Sequence, residues 1–95
     1  MATESENRRE HRSRVLKGAT IILSTVHSEI SCTIRNQNAG GAELRVPIDA
    51  RIPSEFLLYV PNDGVAYRSV VHWRSKDRVG VEFIRTETKP RFHYG

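Results

Sequence analysis

A chain of 95 residues, 38% apolar and 27% charged, can hold one domain with a single modest core and is too apolar to be wholly disordered. No apolar run nears the roughly 20 residues of a membrane-crossing helix, and a single cysteine, Cys32, excludes an internal disulfide and a cysteine-rich zinc site. The net charge of +4 is uneven: residues 1–18 carry five basic and three acidic side chains, residues 19–67 three and five, and residues 68–95 seven and three. If the two ends meet in space, they make one positive face that attracts phosphates.

Residues 1–7 read as a disordered N-terminus: polar and acidic, they lack the basic head and apolar middle of a signal peptide, so a cytoplasmic location is expected. Residues 8–14 form an arginine arm, Arg8-Arg9-Glu10-His11-Arg12-Ser13-Arg14. Four guanidiniums so close together cannot be buried unpaired, because each would cost several kcal/mol. They are solvated or held for something anionic. Arg8 and Arg12, four apart, fall on one side of a helical turn or an extended segment, and planar forks there can grip phosphate oxygens and lie flat on a base.

From Val15 to Thr25 β-branched residues dominate and predict a strand, with Gly18 marking a bulge or a close approach. After a turn at His27-Ser28, Ile30, Cys32 and Ile34 alternate with polar residues as a half-buried strand. Asn36-Gln37-Asn38-Ala39-Gly40-Gly41 interrupts the alternation as a tight loop, and Ala42, Leu44, Val46 and Ile48 resume it. Pro47 predicts that this strand ends or becomes an edge. A connection over 49–54 leads to a strand at Glu55–Val60, and Pro61-Asn62-Asp63-Gly64 is a turn signal. Val65–Arg74 and a segment around Val79, Val81 and Phe83 are the last strands, joined through Ser75-Lys76-Asp77. Six strands on short turns, with no useful helical run, predict an all-β chain forming a small antiparallel β-barrel. The barrel is expected over 15–86, and residues 87–95 read as a C-terminal tail.

The arm and the Asn/Gly loop together resemble the PilZ domain family, whose two signatures are RxxxR near the start and (D/N)xSxxG after the second strand. Arg8 and Arg12 fit the first. Asn36 to Gly41 fits the second, with Asn38 where the family has Ser. Val70-Val71-His72-Trp73-Arg74 and Val79-Gly80-Val81-Glu82-Phe83 also look like the family's last two strands, so the resemblance runs from Arg8 to Ile84. It implies a six-stranded barrel with a flexible N-terminal arm that binds the bacterial second messenger cyclic di-GMP, without catalysis, and relays its level to a partner protein. In that scheme Arg8 and Arg12 grip phosphate and guanine and Arg9 assists. Asn36, Asn38 and Gly41 form the opposing wall, with Gly41 admitting close approach and positive φ.

The chemistry agrees. Guanine offers O6 and N7 to an arginine fork, and its face suits guanidinium stacking. No cofactor or metal is expected: His11, His27, His72 and His93 show no i,i+4 pair, and Cys32 lies on the apolar face of its strand. No serine or cysteine sits on a glycine elbow, and no enzyme is expected. Trp73 and Tyr67 are expected as core or rim packing. Two other functions remain open: a degenerate PilZ domain acting only through protein contacts, and a small basic barrel binding single-stranded nucleic acid through exposed Phe56, Tyr59, Tyr67 or Trp73. The nucleic-acid partner is the less favoured.

Overall fold

The structure is a computed structural model that describes residues 13–23 and 28–88, with side chains from Leu16 onward. Six strands close into an antiparallel barrel: β1 (Ser13–Ile22), β2 (Glu29–Asn38), β3 (Gly41–Arg45), β4 (Glu55–Val60), β5 (Val65–Ser75) and β6 (Arg78–Glu87). Around the barrel they run β1-β2-β3-β6-β5-β4, and β4 pairs back onto β1, so the sheet closes on itself. Among the described residues the sole helical element is a single 3-10 turn, Pro61–Asp63, between β4 and β5. Pro61 starts it with a fixed φ, and Gly64, at φ 72°, ends it in the left-handed region that side-chain-bearing residues avoid. No helix among these residues is long and apolar enough to cross a membrane.

The period-two pattern of the sequence becomes inside and outside. Ala19 and Ile21 of β1, Cys32 and Ile34 of β2, Ala42 and Leu44 of β3, Phe56, Leu58 and Val60 of β4, and Val79 and Val81 of β6 fill the interior as one cluster. Each large side chain among them contributes about 1.5–3 kcal/mol by leaving water. Burial pushes the Cys32 thiol up to about 12, so it stays protonated and unreactive. A smaller cluster of Ile22, Leu57 and Ala66, with Tyr59 packed on it, explains why β4 reads as apolar on both faces.

Several expectations shift. β1 begins at Ser13, so Ser13 and Arg14 of the expected arm are paired in the sheet. Its bulge falls between Arg14 and Lys17, leaving Leu16 80% exposed, and nothing lies within 4 Å of where a Cβ on Gly18 would sit. β3 stops at Arg45, just ahead of Pro47, as a residue without an N–H requires. β6 runs through Glu87, where the tail was expected to start; Glu87 accepts from the Arg68 and Arg85 guanidiniums at 3.1 Å, and those pairs hold its carboxyl below the usual range.

One mouth of the barrel gathers three features. There lie the first residue of β1, the β2–β3 turn and the 3-10 turn. Lys17 Nζ donates to Asp63 Oδ1 (2.7 Å) and Gln37 Oε1 (2.9 Å), Gln37 Nε2 donates to Asp63 Oδ2 (3.1 Å), and the Tyr67 hydroxyl donates to the same oxygen (2.6 Å). Burial pushes the Asp63 carboxyl up. The hydrogen bonds from Lys17, Tyr67 and Gln37, together with the Lys17 charge, outweigh it and hold the group at about 2. Burial, and then the bond and charge of Asp63, push the Tyr67 phenol up to about 12.

Candidate functional site

Asn36, Asn38 and Gly41 lie where β2 turns into β3. A register shift in the β2–β3 ladder between Ile34 and Asn36 changes which side chains face out. Asn36 then pairs with Glu43 on the outer wall, while Gln37, opposite the core residue Ala42, reaches into the mouth. Asn36 Nδ2 donates to Glu43 Oε1 (3.0 Å), and Glu43 is held in turn by Arg78 Nη1 (2.9 Å). With its nitrogen bonded to Glu43, Asn36 keeps its carbonyl oxygen as an acceptor.

Asn38 shapes the turn itself. Its Oδ1 accepts from the backbone N–H groups of Gly40 (2.8 Å) and Gly41 (2.9 Å), an Asx-type cap that leaves the amide nitrogen as its donor toward solvent. Gly41 answers a packing need that its sequence position does not announce. It does not have positive φ; a Cβ there would come within 2.3 Å of the Val81 carbonyl oxygen, so its bare backbone lets β3 lie close on β6. The requirement comes from sheet packing.

Pairing across the wall extends the site. Outward positions align in one row as Asn36, Glu43, Gly80 and Trp73, and in the next as Asn38, Gly41, Glu82 and Val70. A second irregularity, between Val71 and Trp73, puts His72 and Trp73 on the outside together. Trp73 lies across Gly80, whose absent Cβ would sit 2.0 Å from the indole nitrogen, yet the ring stays 44% exposed. The result is an open cavity of about 350 Å³ whose walls include Asn38, Gly40, Gly41, Trp73 and Glu82. Sequence reasoning assigned Trp73 to packing and did not single out Glu82. The Trp-Arg/Val-Gly-Val spacing holds the signal for the indole over Gly80, but only the register reveals it.

Arg8, Arg9 and Arg12 lie outside the described residues. What is described is their root: Ser13, joined to Arg12, pairs with Gln37, and Arg14 pairs with Asn36. The first strand therefore starts beside the Asn/Gly turn.

The family model of the PilZ domain matches residues 6–91. This chain belongs to the PilZ domain family. A comparison with curated proteins gave no match. The PilZ family is a known cyclic di-GMP receptor family, a ligand-binding and adaptor domain and not a known enzyme family. Asn36, Asn38 and Gly41, the positions of the second PilZ signature, share one outer wall and one turn. The aromatic residues invoked for nucleic-acid stacking do not make a platform. Phe56 is 1% exposed, Tyr59 packs on the smaller apolar cluster, and Tyr67 stacks on Phe83 with centroids 4.1 Å apart. Trp73 alone of the four is exposed. Among the described residues no group of histidine, cysteine and carboxylate side chains could hold a metal.

Proposed function

We propose that this chain is a non-enzymatic, cytoplasmic cyclic di-GMP receptor and adaptor that takes no cofactor. Its ligand lies on the outer wall between Asn38, Gly41 and Trp73, and the N-terminal arginine arm closes over it. The observation that carries this reading is the pairing of Ser13 with Gln37 and of Arg14 with Asn36, which roots the arm at the signature turn. From Ser13 back to Arg8 is five residues, a reach of roughly 17 Å when extended. Neighbouring strands lie about 4.8 Å apart, so β6 is about 14 Å from β1 around the wall. The arm is long enough to cover the cavity.

Each partner then has a chemical task. Arg8 and Arg12 supply charge-assisted bonds to phosphate oxygens and to guanine O6 and N7, with Arg9 assisting. The Asn36 oxygen and the Asn38 amide nitrogen face the ligand's polar edges, Gly41 keeps the wall flat, and the Trp73 face accepts a stacked base. Ordering the arm costs about 1–2 kcal/mol per backbone residue, so several bonds of roughly 1.5–3 kcal/mol must form at once. That coupling makes the arm a switch, and its ordered surface is what a downstream protein reads.

Calorimetric titration tests this directly. Wild type should bind cyclic di-GMP in preference to the linear dinucleotide and ATP, more weakly at high salt than at low. Arg12→Ala should weaken binding at least about tenfold while thermal unfolding is unchanged. Undiminished affinity in that variant removes the arm from the site. A flat wild-type trace at low salt would leave the chain a PilZ domain acting through protein contacts alone.

A further inference from the structure

Glu82 is out of place in a site for an anion. It projects from β6 onto the same wall as Asn38 and Gly41, its side chain is 58% exposed, and it lines the cavity beside Trp73. A free carboxylate there repels phosphate. It is favourable only where it meets hydrogen-bond donors. One of its oxygens has a partner: His72 Nε2 donates to Glu82 Oε1 at 2.7 Å, and the irregularity in β5 that turns Trp73 outward places it next to His72 on the same face. Oε2 and the remaining lone pair of Oε1 are left to a ligand.

We propose that Glu82, positioned by His72, reads the Watson–Crick edge of a guanine stacked on Trp73 and so sets base specificity; this rests on the messenger-receptor reading above. Guanine presents two adjacent donors on that edge, N1–H and the N2 amino group, spaced to meet the two oxygens of one carboxylate. Adenine presents a donor beside an acceptor, and uracil a single donor between acceptors. The carboxylate therefore accepts guanine, while against adenine it sets one oxygen opposite the N1 lone pair. Glu82 takes the Watson–Crick edge alone, which leaves the Hoogsteen edge and the phosphates to other groups.

The test is titration of full-length wild type, Glu82→Gln and Glu82→Ala with cyclic di-GMP and cyclic di-AMP, with thermal unfolding as the fold control. A glutamine amide presents one acceptor and one donor, the complement of adenine's edge. Glu82→Gln should cut the ratio of cyclic di-GMP to cyclic di-AMP affinity roughly tenfold or more, the scale of one two-bond base contact. Glu82→Ala should weaken cyclic di-GMP without any gain for cyclic di-AMP. A wild-type ratio retained in Glu82→Gln overturns the assignment, as does an equal rise in both affinities for Glu82→Ala, which would mark the carboxylate as merely repulsive. If wild type binds neither dinucleotide, the receptor reading fails and this inference with it; binding with an unaltered ratio sinks the inference alone.

Discussion

Asn38 stands where the PilZ pattern has serine, and its side-chain oxygen does what a hydroxyl could do at that point: it caps the turn. Two backbone amides at 2.8 and 2.9 Å share that oxygen. Asn38→Ala leaves both amides to solvent and should cost about 1–2 kcal/mol in denaturant unfolding, from two bonds of roughly 0.5–1.5 kcal/mol each. Asn38→Ser should recover part of that loss, because one hydroxyl oxygen can still accept. An alanine variant as stable as wild type would show that the backbone holds the turn unaided. The turn was legible in the sequence, since Asn and Gly in series mark one. The need for Gly41 was legible, and its cause was not: the Val81 carbonyl that excludes a Cβ belongs to a strand 40 positions further on. Trp73 was read as packing and Glu82 was not singled out for the same reason, since strand irregularities decide which side chains face out and leave no trace in an alternating pattern.

The 3-10 turn between β4 and β5 shows what an element adds beyond its own residues. Pro61-Asn62-Asp63-Gly64 announces a turn, and nothing local announces that Asp63 will meet Lys17, 46 positions away, at 2.7 Å. That contact ties the 3-10 turn to β1 just inside the root of the arm, and Gln37, beside the signature asparagines, completes the ring. Because the Asp63 carboxyl is held at about 2, against 3.8 ordinarily, the folded chain binds its proton less readily than the unfolded chain. The stabilisation is complete above about pH 4 and is lost as pH falls from about 4 to 2. Allowing for screening by nearby water, it is worth about 1 kcal/mol. Unfolding free energy measured across that window should fall more steeply for wild type than for Asp63→Asn, and parallel profiles would count against it. Strand order and extent were largely legible here. Boundaries moved by one to three residues: β1 starts at Ser13, β2 runs on to Asn38 and β3 starts at Gly41 within what reads as loop, β3 stops at Arg45, and β6 runs to Glu87, because cross-strand partners and Pro47, more than the apolar pattern, decide where a strand ends.

At the scale of the whole molecule, closure of six strands leaves one outer wall of side-chain-poor positions, Gly41 and Gly80, framed by Asn38, Trp73 and Glu82. The basic excess at the chain ends was visible in composition, and the pairing of β1 with β2 brings one of those ends to the signature turn. In the receptor proposed above, the arm traps a cyclic dinucleotide against this wall. Trp73 is the single tryptophan of the chain and lines the cavity, so its fluorescence reports on that place alone. Titration with cyclic di-GMP should give a saturable change in tryptophan emission in wild type, and Arg12→Ala should abolish it at the same ligand concentrations. Binding that leaves the emission unaltered, or a response undiminished in Arg12→Ala, would contradict the account.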